Sequence, residues 1–531
     1  MGEVPQTLLE SRRGRVLMGL LLLLLARVIY IFVCPLDLIP DEAYYWDWSR
    51  QLDVSYYSKP PLIAWLIAAA TAVGGDSVFA IRLPATLLGT LGLWIVYELG
   101  RCMYRHEVGV RALLIVAVTP GTMTLCLLMT IDAPFLLAWT LSLYCLWRML
   151  EHETINIRWL PAAILTTGIG LLAKQSGLGL FPLLAMFLAT GIADRRTLKS
   201  PVPWVWMLGS SAFLLPVIWW NHQHAWVTVE HTRNHFGIAS GSVLRHVLLQ
   251  LEFLVTQIGI LSPVICCQLL FVTTGLLAGL AGLQRRERFL LCFGAVPFAG
   301  VVILSFFQRV QPNWPAALHL TSILLLAAWS CGEISLPRWN WIRPWVPTGI
   351  VVGGAMSVIV AMVPFVVPAT PLAGSRLDPT GRMRGWRDIG DQVAVKLQSI
   401  PQSQGLMVIA ATSRGPVSEL AYYLPGKPRV YRWNTGGIVD SQHDLWGGPK
   451  NGRGHDALIV TDAVAEVPEQ LAGAFTSVDE LGDINVPLGP NKSRRFRVWR
   501  GRCLQAWPDP LDATRAVVLR SSSLLPSPRF P

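Results

Sequence analysis

The chain has 531 residues, of which 52% are hydrophobic and only 15% charged. Soluble globular proteins carry about 25% charge, so the composition excludes that class and describes an integral membrane protein. The net charge of +11 comes without a basic block, which argues against nucleic-acid binding. Of the nine cysteines, only Cys503 lies in the polar C-terminal part, so no disulfide framework is implied there.

In chain order, eleven apolar segments approach the roughly 20 residues needed to cross a hydrocarbon core. They are 16–36, 79–99, 110–128, 133–150, 159–173, 177–193, 203–221, 262–283, 289–307, 315–332 and 345–367. The first continues past Arg27 through VIYIFVC without an A-x-A site, so it reads as a span and not a cleaved signal. Arg27 either snorkels or faces a cavity. Two shorter apolar stretches, 62–74 and 247–259, read as interfacial helices.

Loop charges orient the spans. Lys and Arg follow every even-numbered segment (Arg101/Arg105/Arg111, Arg148/Arg158, Arg195/Arg196/Lys199, Arg285/Arg286/Arg288, Arg338/Arg343), and Arg12, Arg13 and Arg15 precede the first. The positive-inside rule then puts the N-terminus in the cytoplasm. Loops 37–78, 129–132, 174–176, 222–246 and 308–314, and the tail from 368, fall outside. The unusual polar residues therefore gather in the non-cytoplasmic loops.

The densest of these loops is PDEAYYWDWSRQLDVSYYSKPP, residues 40–61. Pro40 with Asp41 and Glu42 is a good helix start, because acids favour the N-terminal dipole. The same geometry suits Asp41 as a general base. Lys59, stiffened by Pro60 and Pro61, suits a lipid phosphate, although juxtamembrane lysines also snorkel. Tyr44, Tyr45 and Tyr57 are expected to face substrate, since aromatic rings can stack on sugars. Asp132 and Lys174 interrupt long apolar runs, where ionisable groups usually face a cavity or a partner.

The loop after Trp219-Trp220 holds His222, His224, His231, Arg233 and His235. His231 and Arg233 suit phosphate or sugar. The spacing of His231 and His235 permits zinc but supplies no carboxylate partner. Gln311-Pro312-Asn313-Trp314-Pro315 reads as an interfacial turn.

From about 368 the composition turns polar. Candidate strands (406–410, 429–433, 457–461, 495–499) alternate with helical stretches (386–397, 417–423). The expected domains are a membrane domain (1–367), a small periplasmic α/β domain (368–505) and an unstructured tail (506–531).

These motifs resemble the GT-C glycosyltransferases. The resemblance is to the bacterial family related to dolichyl-phosphate-mannose protein mannosyltransferases and to the aminoarabinose transferase of lipid A. It rests on DEAYYWDWSRQLDVSYYSKPPL (41–62), FAIRLPA (79–85), TIDAP (130–134), LLAKQSG (171–177), QIGILSP (257–263), RVQPNWPA (309–316) and GRMRGWRDIG (381–390). It implies a polytopic α-helical inner-membrane enzyme that moves a sugar, with inversion, from a polyprenyl-phosphate donor to a glycolipid or protein acceptor at the periplasmic face. Among membrane lipids, the polyprenyl phosphate is its required partner.

Carried over by position, Asp41 is the outer-loop aspartate proposed as base, Lys59 the lysine that binds the donor phosphate, Asp132 a second cavity aspartate, Lys174 a cavity lysine and His231 a loop histidine. The chemistry of the residues themselves adds Glu42 to the catalytic carboxylates, Arg233 to the phosphate-binding charges with Lys59 and Lys174, and Tyr44, Tyr45 and Tyr57 to the substrate-binding groups with His231. Two departures stand out: Ser58 replaces a metal-ligating glutamate, and Tyr44 replaces an arginine three residues after the first aspartate. The residues thus name no certain cofactor and leave a divalent metal open. A lipid-linked sugar flippase would instead predict inverted repeats and midplane charges, and no repeat is visible. A protein O-mannosyltransferase-like activity is the other alternative.

Overall fold

The computed structural model describes residues 11–152, 154–234, 237, 242–279, 282–400, 406–490, 492–509 and 511. Most of the 506–531 tail, expected to be unstructured, lies outside the described residues, as does His235. The chain forms two compact units. One comprises Met1–Val33, Arg82–Leu215 and His235–Ala361, and the other Cys34–Ile81, Pro216–Asn234 and Met362–Pro531.

Helices dominate the first unit. Among the described residues, seven helices of the chain are long and apolar enough to cross a membrane, and five apolar helices are shorter. The segment 247–259, expected to be a short interfacial piece, lies inside the 19-residue helix Val243–Leu261, which is one of the seven. The segment expected at 110–128 is divided. A helix His106–Ala117 ends before Pro120, and a second helix, Pro120–Leu125, is capped by the Thr119 hydroxyl.

Small residues set the closest packing. A Cβ on Gly109 would lie 2.4 Å from the Tyr97 carbonyl oxygen, and one on Gly100 would lie 2.9 Å from the Gly109 Cα. Two backbones meet there, as small residues allow between apolar helices. Arg27 is buried and donates to the Thr90 hydroxyl at 3.2 Å, so it faces protein and does not snorkel.

The second unit is built on a five-stranded sheet of order β2-β1-β3-β5-β4. Its strands are β1 (Leu406–Ala411), β2 (Val430–Arg432), β3 (Asp456–Asp462), β4 (Phe475–Gly489) and β5 (Lys492–Leu504). β1 runs parallel to β2 and β3, and β5 pairs antiparallel with β3 and β4. β1 and β3 are buried almost throughout, as central parallel strands covered on both faces should be. The helices Trp386–Gln398 and Arg414–Tyr423 match the two expected helical stretches. β4, an edge strand with several exposed polar positions and Pro487, carried no strand signal.

Sequence-distant segments close this unit. Tyr57, Trp220 and Val227 form one apolar cluster, against which Val54, Val439 and Leu445 pack. The Trp220 indole donates to Asp53 at 2.8 Å, and the Thr228 hydroxyl donates to the Tyr56 carbonyl at 3.0 Å. Asp37 accepts from the Trp386 amide at 2.9 Å, and burial raises its carboxyl above the ordinary range. Leu38 N donates to the Tyr423 hydroxyl at 2.8 Å.

Candidate active site

The helix Pro40–Ser49 places Asp41. Its first turn has proline at N1 and acids behind it, the chemistry that favours a helix start. Glu42, expected beside Asp41 as a catalytic carboxylate, is fully buried instead, and its Oε2 accepts from the Ile39 amide at 3.1 Å. That bond satisfies a helix-start donor that would otherwise lack a partner. The Asp41 side chain is 46% exposed, and its Oδ1 accepts from an Arg414 guanidinium nitrogen at 2.8 Å. An ion pair this exposed adds about 0–1 kcal/mol to folding, so stability alone does not account for it.

The tyrosines differ from expectation. Tyr44, Tyr45 and Tyr57 are 1%, 6% and 8% exposed, which leaves their rings little free face for a sugar. Tyr44 packs edge-on against Trp48, and its hydroxyl accepts from the Gln442 amide at 2.5 Å. Burial pushes that hydroxyl well above its usual range. The Tyr57 amide donates to the Gln442 side chain at 2.7 Å and its hydroxyl donates to the Val439 carbonyl at 3.1 Å. Burial pushes the Tyr57 hydroxyl up to about 12. These rings form a scaffold around Asp41.

The segment carrying Gln442 is itself held. Arg432 contacts Asp440, Ser441 and Asp444, and its Nε donates to the Thr412 carbonyl at 3.2 Å. His443, next in the chain, sets Nε2 3.1 Å from Asp47 Oδ2, with both side chains buried. Nothing in the sequence flagged Arg414, Gln442 or His443, because they lie some 370 to 400 positions from their partners.

Lys59 is half-buried, and its carbonyl accepts from the Tyr56 amide at 3.1 Å, closing a tight loop. His231 lies edge-on to the Tyr57 ring at 4.9 Å, in the helix Val227–Asn234. Arg233, on the same helix, is 80% exposed and lies 3.6 Å from Glu230. His224 stacks on Trp220 and His222 is exposed. Among the described residues, no three His, Cys, Asp or Glu side chains converge to hold a metal. Ser58, where a glutamate ligand would stand, adds no charged donor, so these residues do not fit a metal centre.

In the first unit, Asp132 begins the helix Asp132–Leu150 and is buried. Lys174 Nζ lies 2.8 Å from its Oδ1, and the Asn313 amide donates to Oδ2 at 2.6 Å. Both carboxylate oxygens are therefore engaged, and Lys174 is fixed over the Phe135 ring at 5.5 Å. Lys174 can sit there because the chain turns extended between the helix Leu160–Ala173 and the short helix Gln175–Gly179. Gln257 extends the polar line, donating to the Pro312 carbonyl at 3.1 Å and pairing with His319 Nε2 at 2.9 Å. Gln257 and His319 also border an apolar cavity of about 640 Å³, lined by Leu254, Leu261, Leu270 and Phe298 among others.

A helical membrane unit followed by an α/β domain is also the architecture of ArnT from Cupriavidus metallidurans. In its complex with undecaprenyl phosphate, ArnT matches with a TM-score of 0.60 at 16% identity, over 92% of this chain and 98% of that one. Its apo form matches with a TM-score of 0.56, over 91% and 98%. The chain has the GT-C fold.

Its sequence is similar to curated lipid A and aminoarabinose transferases. Residues 58–220 match the dolichyl-phosphate-mannose-protein mannosyltransferase family model. The chain is 24% identical to the lipid A galacturonosyltransferase RgtD of Rhizobium johnstonii, over 88% of this chain and 93% of that protein. It is 27% identical to undecaprenyl phosphate-alpha-4-amino-4-deoxy-L-arabinose arabinosyl transferase 1 of Pseudomonas fluorescens, over 26% of each chain.

Proposed function

We propose that this chain transfers a sugar from a polyprenyl-phosphate donor to lipid A or a related envelope glycolipid. The observation that carries the reading is Asp41, a half-exposed carboxylate on a buried helix start, in a chain whose fold follows ArnT over more than nine-tenths of both chains. The acceptor hydroxyl attacks the anomeric carbon while the bond from that carbon to the phosphate oxygen breaks. Asp41 takes the hydroxyl proton, and the polyprenyl phosphate leaves with the bonding electrons. Positive charge is needed where that phosphate gains negative charge. Lys59 supplies it from the first-loop segment. The apolar cavity beside Gln257 and His319 suits an isoprenoid chain by size and lining.

The finer topology follows the loop charges: N-terminus in the cytoplasm, α/β domain in the periplasm, enzyme in the inner membrane. Helix Val243–Leu261, which carries Arg245, His246, Gln250 and Glu252, then lies along the interface, so that Arg285, Arg286 and Arg288 stay inside.

Purified protein with undecaprenyl-phosphate-linked galacturonate or aminoarabinose and lipid A tests the reaction. Transfer of the sugar with release of undecaprenyl phosphate is expected. Asp41→Asn should abolish turnover and keep donor binding, and Lys59→Ala should raise the donor KM. Movement of intact lipid-linked sugar between leaflets without transfer would exclude the enzyme reading, and transfer to protein alone would replace the acceptor.

A further inference from the structure

We propose that Arg414, from the C-terminal α/β domain, is the positioning residue for Asp41: it holds one carboxylate oxygen so that the other receives the acceptor proton. The inference rests on the reading of Asp41 as the base, and it assigns the domain a part in the reaction.

Arg414 opens the helix Arg414–Tyr423, three residues beyond the end of β1. β1 is flanked by β2 and β3, both parallel to it, so Arg414 stands at the carboxyl end of a central parallel strand. Chain leaves the sheet there for opposite neighbours, and α/β sheets present functional groups at such places. The next residue, Gly415, lies against Pro40, and a Cβ on it would be 3.3 Å from the Pro40 Cβ. The start of this helix and the start of the Asp41 helix therefore meet closely.

Two contacts fix the guanidinium. It donates to Asp41 Oδ1 at 2.8 Å and lies 4.8 Å from the centre of the Tyr44 ring. Tyr44 is in turn held by Gln442 and Trp48. Arg414 thus has a rigid aromatic face beneath it and a carboxylate at its end. No hydrogen bond to Asp41 Oδ2 occurs among the described residues. A base needs a free lone pair in a fixed direction, and this arrangement supplies one. Burial opposes the Arg414 charge, and Asp41, Tyr44 and Tyr45 together outweigh it, so the guanidinium stays protonated.

The test uses the full chain in nanodiscs with undecaprenyl-phosphate galacturonate or aminoarabinose and lipid A. Arg414→Ala should lower kcat about 10- to 100-fold, less than the about 10²- to 10⁴-fold that a general base itself contributes, with the donor KM within about twofold. Arg414→Lys should restore only part of kcat, because an ammonium keeps the charge but lacks the planar fork of the guanidinium. If Arg414→Ala unfolds the domain, Arg414→Lys and Arg414→Gln decide by the same split of kcat against KM. An unchanged kcat in these variants with an inactive Asp41→Asn would overturn the role of Arg414. An active Asp41→Asn would overturn the base reading beneath it.

Discussion

Lys174 Nζ and Asp132 Oδ1 are 2.8 Å apart, and both side chains are nearly closed off from solvent, at 11% and 4% exposure. Breaking such a pair by removing one partner costs about 3–5 kcal/mol, because a charge stays buried alone. Lys174→Met and Asp132→Leu should each lower the thermal midpoint of the purified protein by several degrees. The double variant should lose much less than the sum. Additive losses would mean that the two groups do not depend on each other. Activity separates the roles further: the double variant should regain stability without regaining turnover.

His443 and Asp47 join the α/β domain to the first-loop helix at 3.1 Å. Asp47 also keeps Arg50, at 3.2 Å from Oδ1. His443→Ala therefore leaves Asp47 partly satisfied and should cost about 1–3 kcal/mol, the usual penalty for a broken buried hydrogen bond. Thermal unfolding measures the loss. Cleavage by added protease within 434–446 should quicken as the clasp loosens.

Lys427 provides a pH-dependent contribution. Its ammonium sits 3.5 Å from the Tyr422 ring centre and 5.0 Å from that of Trp46. Burial depresses its pKa from 10.5 to about 8, against the pull of Asp76. Above about pH 8 the folded state has released this proton, while the unfolded chain holds it to about 10.5. The unfolded state binds more protons in that window, so stability gains from this group as pH rises through it. Below the folded pKa both states are charged and the burial cost is fully present. Lys427→Met should flatten this rise in denaturation curves compared across that window. An equal slope in both proteins would remove Lys427 as the source.

Gly109 tests the helix packing. Alanine would improve intrinsic helix propensity by about 1 kcal/mol, but its Cβ would meet the Tyr97 carbonyl oxygen at 2.4 Å and the Arg101 amide nitrogen at 3.1 Å. These are backbone atoms and cannot rotate away, and overpacking costs about 1–3 kcal/mol. Gly109→Ala should be destabilising on balance, read as a lower thermal midpoint. A gain would show that the two helices can part without cost.

Some of the fold and site could be read locally. Long apolar runs gave most of the membrane helices, since hydrophobic length alone identifies a span. Helix Val243–Leu261 is longer than the apolar run 247–259 because Arg245 and His246 make its first turn polar. β1 and β3 were legible as buried apolar runs, whereas β4 was not, because an edge strand need bury only part of one face. The pairing of Asp132 with Lys174 was half legible: two lone charges in apolar surroundings each call for a partner.

The sequence by itself determined that the chain is a membrane protein, that its polar groups gather in particular loops, and that Asp41 stands at a helix start. These follow from composition and near-neighbour chemistry. Only the tertiary structure decided what each group faces. It turned Glu42 back to its own helix, buried Tyr44, Tyr45 and Tyr57 as scaffold, and set Arg414 against Asp41. The physical reason is separation along the chain. A hydrogen bond acts over about 3 Å, and no local pattern marks two residues that lie 373 positions apart and meet only in the folded chain.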